Sequence, residues 1–326
     1  MNAQAWHWQE KGEPESLVLK ETWLEEPDED EVLIQNTFIG LNPVDWKSIV
    51  AGHPAWEKDH VPGVDGAGIV VKTGAAMNRI PLGTRVCYHA SMVENGSFST
   101  HTLVKGNALL FVPPNVSDAA AAAFPCPSLT AWQAVQKIPV LSNQDVLVNG
   151  AGGSVGYFLT QLLIEKGARV YVTASEEHHD ELYKMGVFKA VNYKTDGWKD
   201  LISESLHGKL LDVVFDSVSG LSAAGLMDLL GYYGHIVSIQ DRVKQNPLRA
   251  FTTCISIHEI ALGAFHKFAT NQQIANLMAD GEKLLQEIGN GKLSQRPLKI
   301  ADFNQLNLQL QEMKNHTSST KYVVKV

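Results

Sequence analysis

Cysteine is scarce in this chain of 326 residues: Cys87, Cys126 and Cys254 stand alone at long spacings. An odd number so widely spread leaves no basis for a disulfide framework or for a structural metal site of four cysteines. Long apolar runs are missing as well, since no stretch approaches the roughly twenty residues needed to span a bilayer. Residues 1–8 lack a basic segment followed by an apolar core, so no secretory leader is expected. The basic residues are scattered, and a formal net charge of -8 works against attraction to a phosphate backbone. What remains is a cytoplasmic protein with reduced thiols, no membrane segment and no nucleic acid partner. There is no internal repeat or low-complexity linker, and a hydrophobic content of 44% suffices for two domains with cores of their own.

The most informative stretch that is present runs from Val146 through Asn149, Gly150, Ala151, Gly152, Gly153, Ser154 and Val155 to Gly156. A short apolar strand ends at Asn149, and Gly150, Gly153 and Gly156 permit a tight turn and close backbone approach. A helix with an apolar face follows. Free N–H groups at such a helix start can hold a pyrophosphate, although glycine-rich turns also serve ordinary packing. Context favours the nucleotide. Strands are expected at Arg169–Thr173, 190–193, Leu211–Asp216 and 235–239 with helical segments between them, a pattern that implies an α/β fold with a doubly wound parallel sheet.

The end of the second such strand chooses the cofactor, because an acid there accepts from a ribose 2′-hydroxyl and repels a 2′-phosphate. Here it reads Thr173-Ala174-Ser175, with His178, His179, Tyr193 and Lys194 as further donors, which favours NADPH. Glu176 and Glu177 argue the other way. They also begin the next helix, where acids suit the helix dipole.

Ahead of this region, short strands at 31–38 and 68–72, separated by glycine and proline turns, indicate a separate β-rich domain. Residues 119–124 and 128–137 read as helices bent apart by Pro125 and Pro127 and joining the two domains. A helix over 271–288 ends at Gly289, and 321–326 is a strand that can return to the first domain.

Taken together, residues 40–47 (including Asn42-Pro43-Val44-Asp45-Trp46-Lys47), residues 62–68, the run Leu129-Thr130-Ala131-Trp132, the glycine turn and residues 212–218 resemble the medium-chain dehydrogenase/reductase superfamily. The similarity is to its zinc-free quinone oxidoreductase branch, which includes zeta-crystallin-like proteins and NADPH-dependent enone or alkenal reductases. The resemblance implies a GroES-like, β-barrel-type catalytic domain from residues 1–124 and 266–326, and a Rossmann domain over 125–265. It further implies an active site in a cleft between the two, and a homodimer joined through the Rossmann sheets. Zinc-dependent relatives carry ligands at the places of Asn42, Val64-Asp65 and Cys126. Only Cys126 survives as a usual ligand, and it also reads as a small buried residue. One thiolate with Asp65 does not make the usual donor set, so no metal is expected.

For catalysis the resemblance points to Lys47, whose ammonium would stabilise an enolate oxygen or relay a proton; an exposed lysine on a helix opened by Asn42-Pro43 is the alternative. Asn42 would orient substrate or cofactor. Tyr88 would donate through its phenol, or be a half-buried aromatic. His53, Trp56 and Trp132 would shape a pocket, or pack a core. On the cofactor side the resemblance places Thr130 near the nicotinamide, Gly152, Gly153, Ser154 and Val155 around the pyrophosphate, and Ser217 and Val218 by the adenosine, with Ser175, His179 and Tyr193 toward the 2′-phosphate. Ile239 and Phe265 would line the nicotinamide half, and Lys321 would also meet the cofactor. The expected activity is reduction of a quinone or α,β-unsaturated carbonyl compound, without zinc, by hydride transfer from NADPH. Its rivals are a metal-free carbonyl or alcohol oxidoreductase and an NADPH-binding sensor or structural protein.

Overall fold

The computed structural model describes residues 1–315 and 320–326. From the amino terminus the chain forms β1 (Asn2–His7), β2 (Val18–Trp23), β3 (Glu31–Gly40), α1 (Pro43–Ala51), β4 (Asp65–Thr73), β5 (Arg85–His89), β6 (His101–Lys105) and β7 (Leu109–Phe111). Two helices follow, α2 (Asp118–Ala123) and α3 (Pro125–Gln136), parted at Phe124 by the proline that opens α3. Alternating elements come next: β8 (Asp145–Asn149), α4 (Ser154–Glu165), β9 (Arg169–Thr173), α5 (His179–Met185), β10 (Lys189–Val191), α6 (Trp198–Ser205), β11 (Leu211–Asp216), α7 (Gly220–Leu226), β12 (Leu230–Ser238) and β13 (Ser256–Glu259). The chain closes with α8 (Phe265–Phe268), α9 (Asn271–Gly289), β14 (Leu298–Asp302), α10 (Leu306–Asn315) and β15 (Lys321–Lys325).

Two units emerge, one from Met1–Leu129 with Gly263–Val326 and one from Thr130–Leu262. The first is built on a sheet in the order β14-β15-β3-β4-β5-β7, with β6 also on β3 and a separate β1-β2 pair. Its long central strand β3 carries Val32, Leu33, Ile34 and Ile39 into the core, and β15 lies antiparallel against it, Val324 opposite Ile39. Buried clusters of described residues hold this unit together. One gathers Trp6, Trp8, Ile49, Trp56 and Phe98, and another Ile34, Val70, Val86, Tyr88 and Val104.

The second unit is a parallel sheet in the order β10-β9-β8-β11-β12-β13. Its central strands are fully buried: Val146, Leu147 and Val148 on β8 and Val213, Val214 and Phe215 on β11 are each 0–1% exposed. Such continuous apolar strands are what a sheet covered on both faces requires. The order reverses between β8 and β11, the place where open sheets of this class take ligands. Two expected strands differ in extent. β10 stops at Val191, short of Tyr193, and β12 starts at Leu230, ahead of the expected His235.

Candidate functional site

In the second unit, β8 ends at Asn149 and the chain turns through Gly150 at φ +88°, a conformation that favours glycine. The turn is pinned by side chains. Gly150 N donates to Thr173 Oγ1 at 2.9 Å, and Asn149 Nδ2 donates to Asp216 Oδ2 at 2.6 Å and Ser222 Oγ at 2.8 Å. A Cβ on Gly156 would stand 2.3 Å from the Gly150 carbonyl oxygen, so the start of α4 closes tightly on the turn. Gly153, the N-cap of α4, is different: the nearest atom to a Cβ there is 3.7 Å away. The first-turn N–H groups of Ser154 and Val155 have no acceptor among the described residues. Unshielded donors at the positive end of a helix, with no side chain on the cap, fit the pyrophosphate of a dinucleotide.

Neighbouring strands end around this turn. Asp216 Oδ1 accepts from Val218 N at 3.0 Å and Ser219 N at 2.9 Å, Ser217 Oγ donates to Asn149 O at 2.8 Å, and Ile239 N donates to Asp216 O at 2.9 Å. Asp216 and the Asn149 carbonyl therefore hold Ser217, Val218 and Ile239 in one place. At the end of β9, Ala174 is buried and Ser175 half-buried, with the exposed Tyr193 hydroxyl 3.5 Å from Ser175 Oγ and Lys194 over the Tyr193 ring. Glu176 and Glu177 are exposed on the following turn, and Glu177 lies 3.4 Å from His178 Nε2. His179 Nε2 meets the Ala174 carbonyl at 3.1 Å. His178 is buried against Gly152, where a Cβ would come within 2.9 Å of its ring. Thr130 is buried on α3 at the opening of this unit, and Lys166 covers the Trp132 ring.

In the first unit a buried polar cluster forms around Asp65, the first residue of β4, with no exposed surface. Its carboxylate accepts from Asn42 Nδ2 at 2.9 Å and from the Cys126 N–H at 3.0 and 3.2 Å, and lies 2.9 Å from His89 Nδ1. The Cys126 N–H belongs to the first turn of α3, where it lacks a helical partner and favours a negative charge. Lys321 Nζ donates to Asn42 Oδ1 at 2.6 Å and to Leu41 O at 2.8 Å. Asp45 closes the base of the cluster, accepting from Asn42 N at 2.7 Å and Val64 N at 3.2 Å. Burial, reinforced by the nearby Asp65, pushes the Asp45 carboxyl up to about 8.

Asp65, His89 and Cys126 each offer a metal-binding atom, all within 4.8 Å of one another. His89 is the donor that sequence reasoning missed. The pairing of β4 with β5 sets it opposite Asp65, a neighbour that only the strand register reveals. Carboxylate, imidazole and thiolate suit zinc in kind, yet their arrangement does not fit it. Asp65 Oδ1 faces His89 Nδ1 and the Cys126 N–H, and Asp65 Oδ2 faces Asn42 Nδ2 and the same N–H, so both oxygens are taken by protein donors. A cation at this carboxylate would compete with these donors.

The other sequence candidates fall in various places. Lys47 is half-buried on α1 with its ammonium 5.5 Å from the Trp46 ring centre. Tyr88 is fully buried and donates to Asn36 Oδ1 at 2.8 Å, and burial raises its hydroxyl pKa above the ordinary phenol range. Its one proton is spent inside the core, which corrects the expectation of a donor to a bound molecule. Trp56 is core as well, stacked on His60 at 4.5 Å and donating to Met92 O. His53 is beside it at 5.7 Å. Phe265 is buried with its ring 6.3 Å from that of His89. Lys321 is 5% exposed and binds Asn42, a link invisible in the sequence because 279 positions separate the two.

Comparison with known proteins follows the same division. Residues 28–114 match the alcohol dehydrogenase GroES-like domain, and residues 154–278 match the zinc-binding dehydrogenase domain, a span that contains none of Asp65, His89 and Cys126. A chloroplastic quinone-oxidoreductase homolog of Spinacia oleracea is 30% identical over 238 residues, 70% of this chain and 71% of that protein. A 2-methylene-furan-3-one reductase of Solanum lycopersicum is 32% identical over 226 residues, 66% of this chain and 56% of that protein. Among solved structures, the quinone oxidoreductase from Coxiella burnetii superposes with a TM-score of 0.85 at 22% identity, covering 100% of both chains.

Proposed function

The chain belongs to the medium-chain dehydrogenase/reductase family of oxidoreductases, and from that footing we propose that it reduces quinones or α,β-unsaturated carbonyl compounds by hydride transfer from NADPH, without zinc. The observation that carries the metal-free reading is the Asp65 carboxylate, whose oxygens are already satisfied by His89, Asn42 and Cys126. The quinone and furanone reductases among its relatives support the substrate class.

Bound at the glycine turn, NADPH supplies the hydride. The N–H groups of Ser154 and Val155 hold its pyrophosphate, and Gly150, Gly152, Gly153 and Gly156 keep the backbone open or tightly turned as described. Ser217, Val218 and Ile239 line the groove ordered by Asp216, while Ser175, Tyr193 and Lys194 offer donors for a 2′-phosphate that no carboxylate on β9 opposes. Within the second unit, Thr130 would lie toward the nicotinamide. Lys47 stabilises the oxygen on which charge develops. Asn42, held by Lys321 on one side and Asp65 on the other, is a fixed positioning group. We further assign the protein to the cytoplasm as a homodimer joined through the sheet of its second unit.

The test is parallel oxidation of NADPH and NADH by chelator-treated protein, with an ortho-quinone and a simple enone, followed by mass analysis. Turnover preferring NADPH, with the carbonyl of the enone intact in the product, is the expected outcome. Loss of turnover on chelation, restored by zinc, overturns the metal-free reading; an alcohol product moves the chemistry to the carbonyl.

A further inference from the structure

Asp216 closes β11 with no exposed surface, and donors converge on both of its carboxylate oxygens. The backbone N–H groups of Val218 and Ser219 reach Oδ1 at 3.0 and 2.9 Å, while Asn149 Nδ2 and Ser222 Oγ reach Oδ2 at 2.6 and 2.7 Å. A side chain surrounded in this way accepts and gives nothing, which fixes the direction of the bonds beyond it. Asn149, 5% exposed, turns its amide nitrogen to Asp216 and so its Oδ1 to Thr173. The Thr173 hydroxyl donates its single proton to that Oδ1 and accepts from the Gly150 N–H at 2.9 Å. A buried relay of fixed polarity thus crosses β11, β8 and β9 and ends on the first glycine of the turn, all of it inside the second unit.

That end point is the backbone on which the turn is built. Gly150 stands at φ +88°, its carbonyl accepts from Gly153 N at 3.2 Å, and the absence of a Cβ on Gly156 lets α4 close over the same oxygen. The seat of Gly150 therefore sets where the first-turn N–H groups of Ser154 and Val155 point. The same carboxylate holds the loop after β11, since Val218 and Ser219 are bound to Oδ1, and Ser217 Oγ ties that loop to Asn149 O at 2.8 Å. Strand pairing needs none of this, because β11 and β8 are already joined over Val213–Asp216 and Val146–Asn149.

We propose that Asp216 is a positioning residue for the dinucleotide, acting through Asn149 and Thr173 on the pyrophosphate turn and directly on the loop after β11. The inference deepens the proposed use of NADPH and rests on it. Affinity then depends on the direction in which buried hydrogen bonds run, at residues that need not touch the cofactor. Asparagine at 216 has nearly the same shape but replaces an acceptor by a donor. The Asn149 amide must then reverse, Thr173 Oγ1 meets two donors, and its own proton is left buried without an acceptor. Exchanging the two residues removes that conflict. An amide at 216 gives its protons to position 149 and to Ser222 and keeps its oxygen for the N–H groups of Val218 and Ser219. The carboxylate now at 149 accepts from Thr173 and Ser222, so no bond of the relay is lost.

The experiment is calorimetry of NADPH binding to the full chain, with the denaturant midpoint measured alongside, for Asp216→Asn, Thr173→Val and the exchange Asn149→Asp/Asp216→Asn. Each of the first two is expected to raise the NADPH Kd about tenfold, and in quinone reduction the loss falls on KM for NADPH more than on kcat. The exchange is expected to recover most of the affinity lost in Asp216→Asn. A role in the fold alone would lower the midpoint and leave Kd where it is, which overturns the proposal. It is overturned equally if the exchange binds no better than Asp216→Asn, or if Thr173→Val binds as the wild type does. Should Asp216→Asn fail to fold, Thr173→Val and the exchange still decide the matter. A wild type that binds no NADPH overturns the cofactor reading and takes the proposal with it, a result distinct from any difference among the variants.

Discussion

Gly153 and Gly156 carry the same residue type for different reasons, and substitution separates them. Alanine at Gly156 drives its Cβ to 2.3 Å from the Gly150 carbonyl oxygen, so Gly156→Ala is expected to destabilise the fold by about 1–3 kcal/mol, read by denaturant unfolding. At Gly153 the space is open, and valine there should leave the melting temperature nearly unchanged while blocking phosphate approach. Calorimetry on Gly153→Val is expected to show no NADPH binding; retained affinity would remove the turn from the site. The glycine spacing was legible because strand, turn and helix follow one another in the chain. The Asp65 cluster was not, since Asn42, Asp65, His89, Cys126 and Lys321 meet only through strand register and helix placement. Asp65 and Cys126 were visible as remnants of a ligand pattern. His89 carried no local signal at all.

Elements were legible in proportion to how fully they are buried. The apolar runs of β8, β9 and β11 announce themselves, and the 271–288 helix is marked by period and by its terminal glycine. β13 went unseen because an edge strand with Ser256, Ile257 and Glu259 exposed has no apolar face to pattern. β12 was entered late, since Gly231 and Gly234 and the exposed Tyr232 and Tyr233 interrupt its first half. At its other end α9 relies on a capping box, in which Thr270 Oγ1 accepts from Gln273 N and Gln273 Oε1 accepts from Thr270 N at 2.9 Å. Thr270→Ala should therefore lower stability by about 1 kcal/mol, with kcat unchanged. A loss of activity without a loss of stability would show that α9 serves the reaction and not only the fold.

Across the molecule, buried ionisable groups shape how stability responds to acid and base. Burial lowers His60 and His266 to about 4, while in the unfolded chain each takes a proton near the ordinary histidine value. The unfolded state then binds more protons between about pH 6.5 and 4, so stability is complete above that window and falls as the pH drops through it. Each histidine contributes about 1–2 kcal/mol to the fall, allowing for partial solvent contact. Asp45 acts with the opposite sign: raised to about 8, it costs stability as pH climbs from the ordinary carboxylate range. Melting curves from pH 4 to 9 should pass through a maximum, and His60→Gln should flatten the acid limb. An unaltered limb would place the titrating groups elsewhere. The two-unit plan was readable from the change in pattern after residue 124. The expected boundaries at 125 and 265 compare with a division after Leu129 and before Gly263.

The seat of β15 carries a consequence for synthesis on the ribosome. This strand fills the position between β14 and β3, and its first residue, Lys321, fixes the amide of Asn42. Every strand of the parallel sheet is translated before β15 emerges, whereas the first unit began with β1 and must wait with an open edge on β3. A nascent chain can thus complete the glycine turn after β8 while Asn42 still lacks the cation that orients it. Of the described strands, β15 comes latest in chain order, and it brings the ammonium that orients the Asn42 amide.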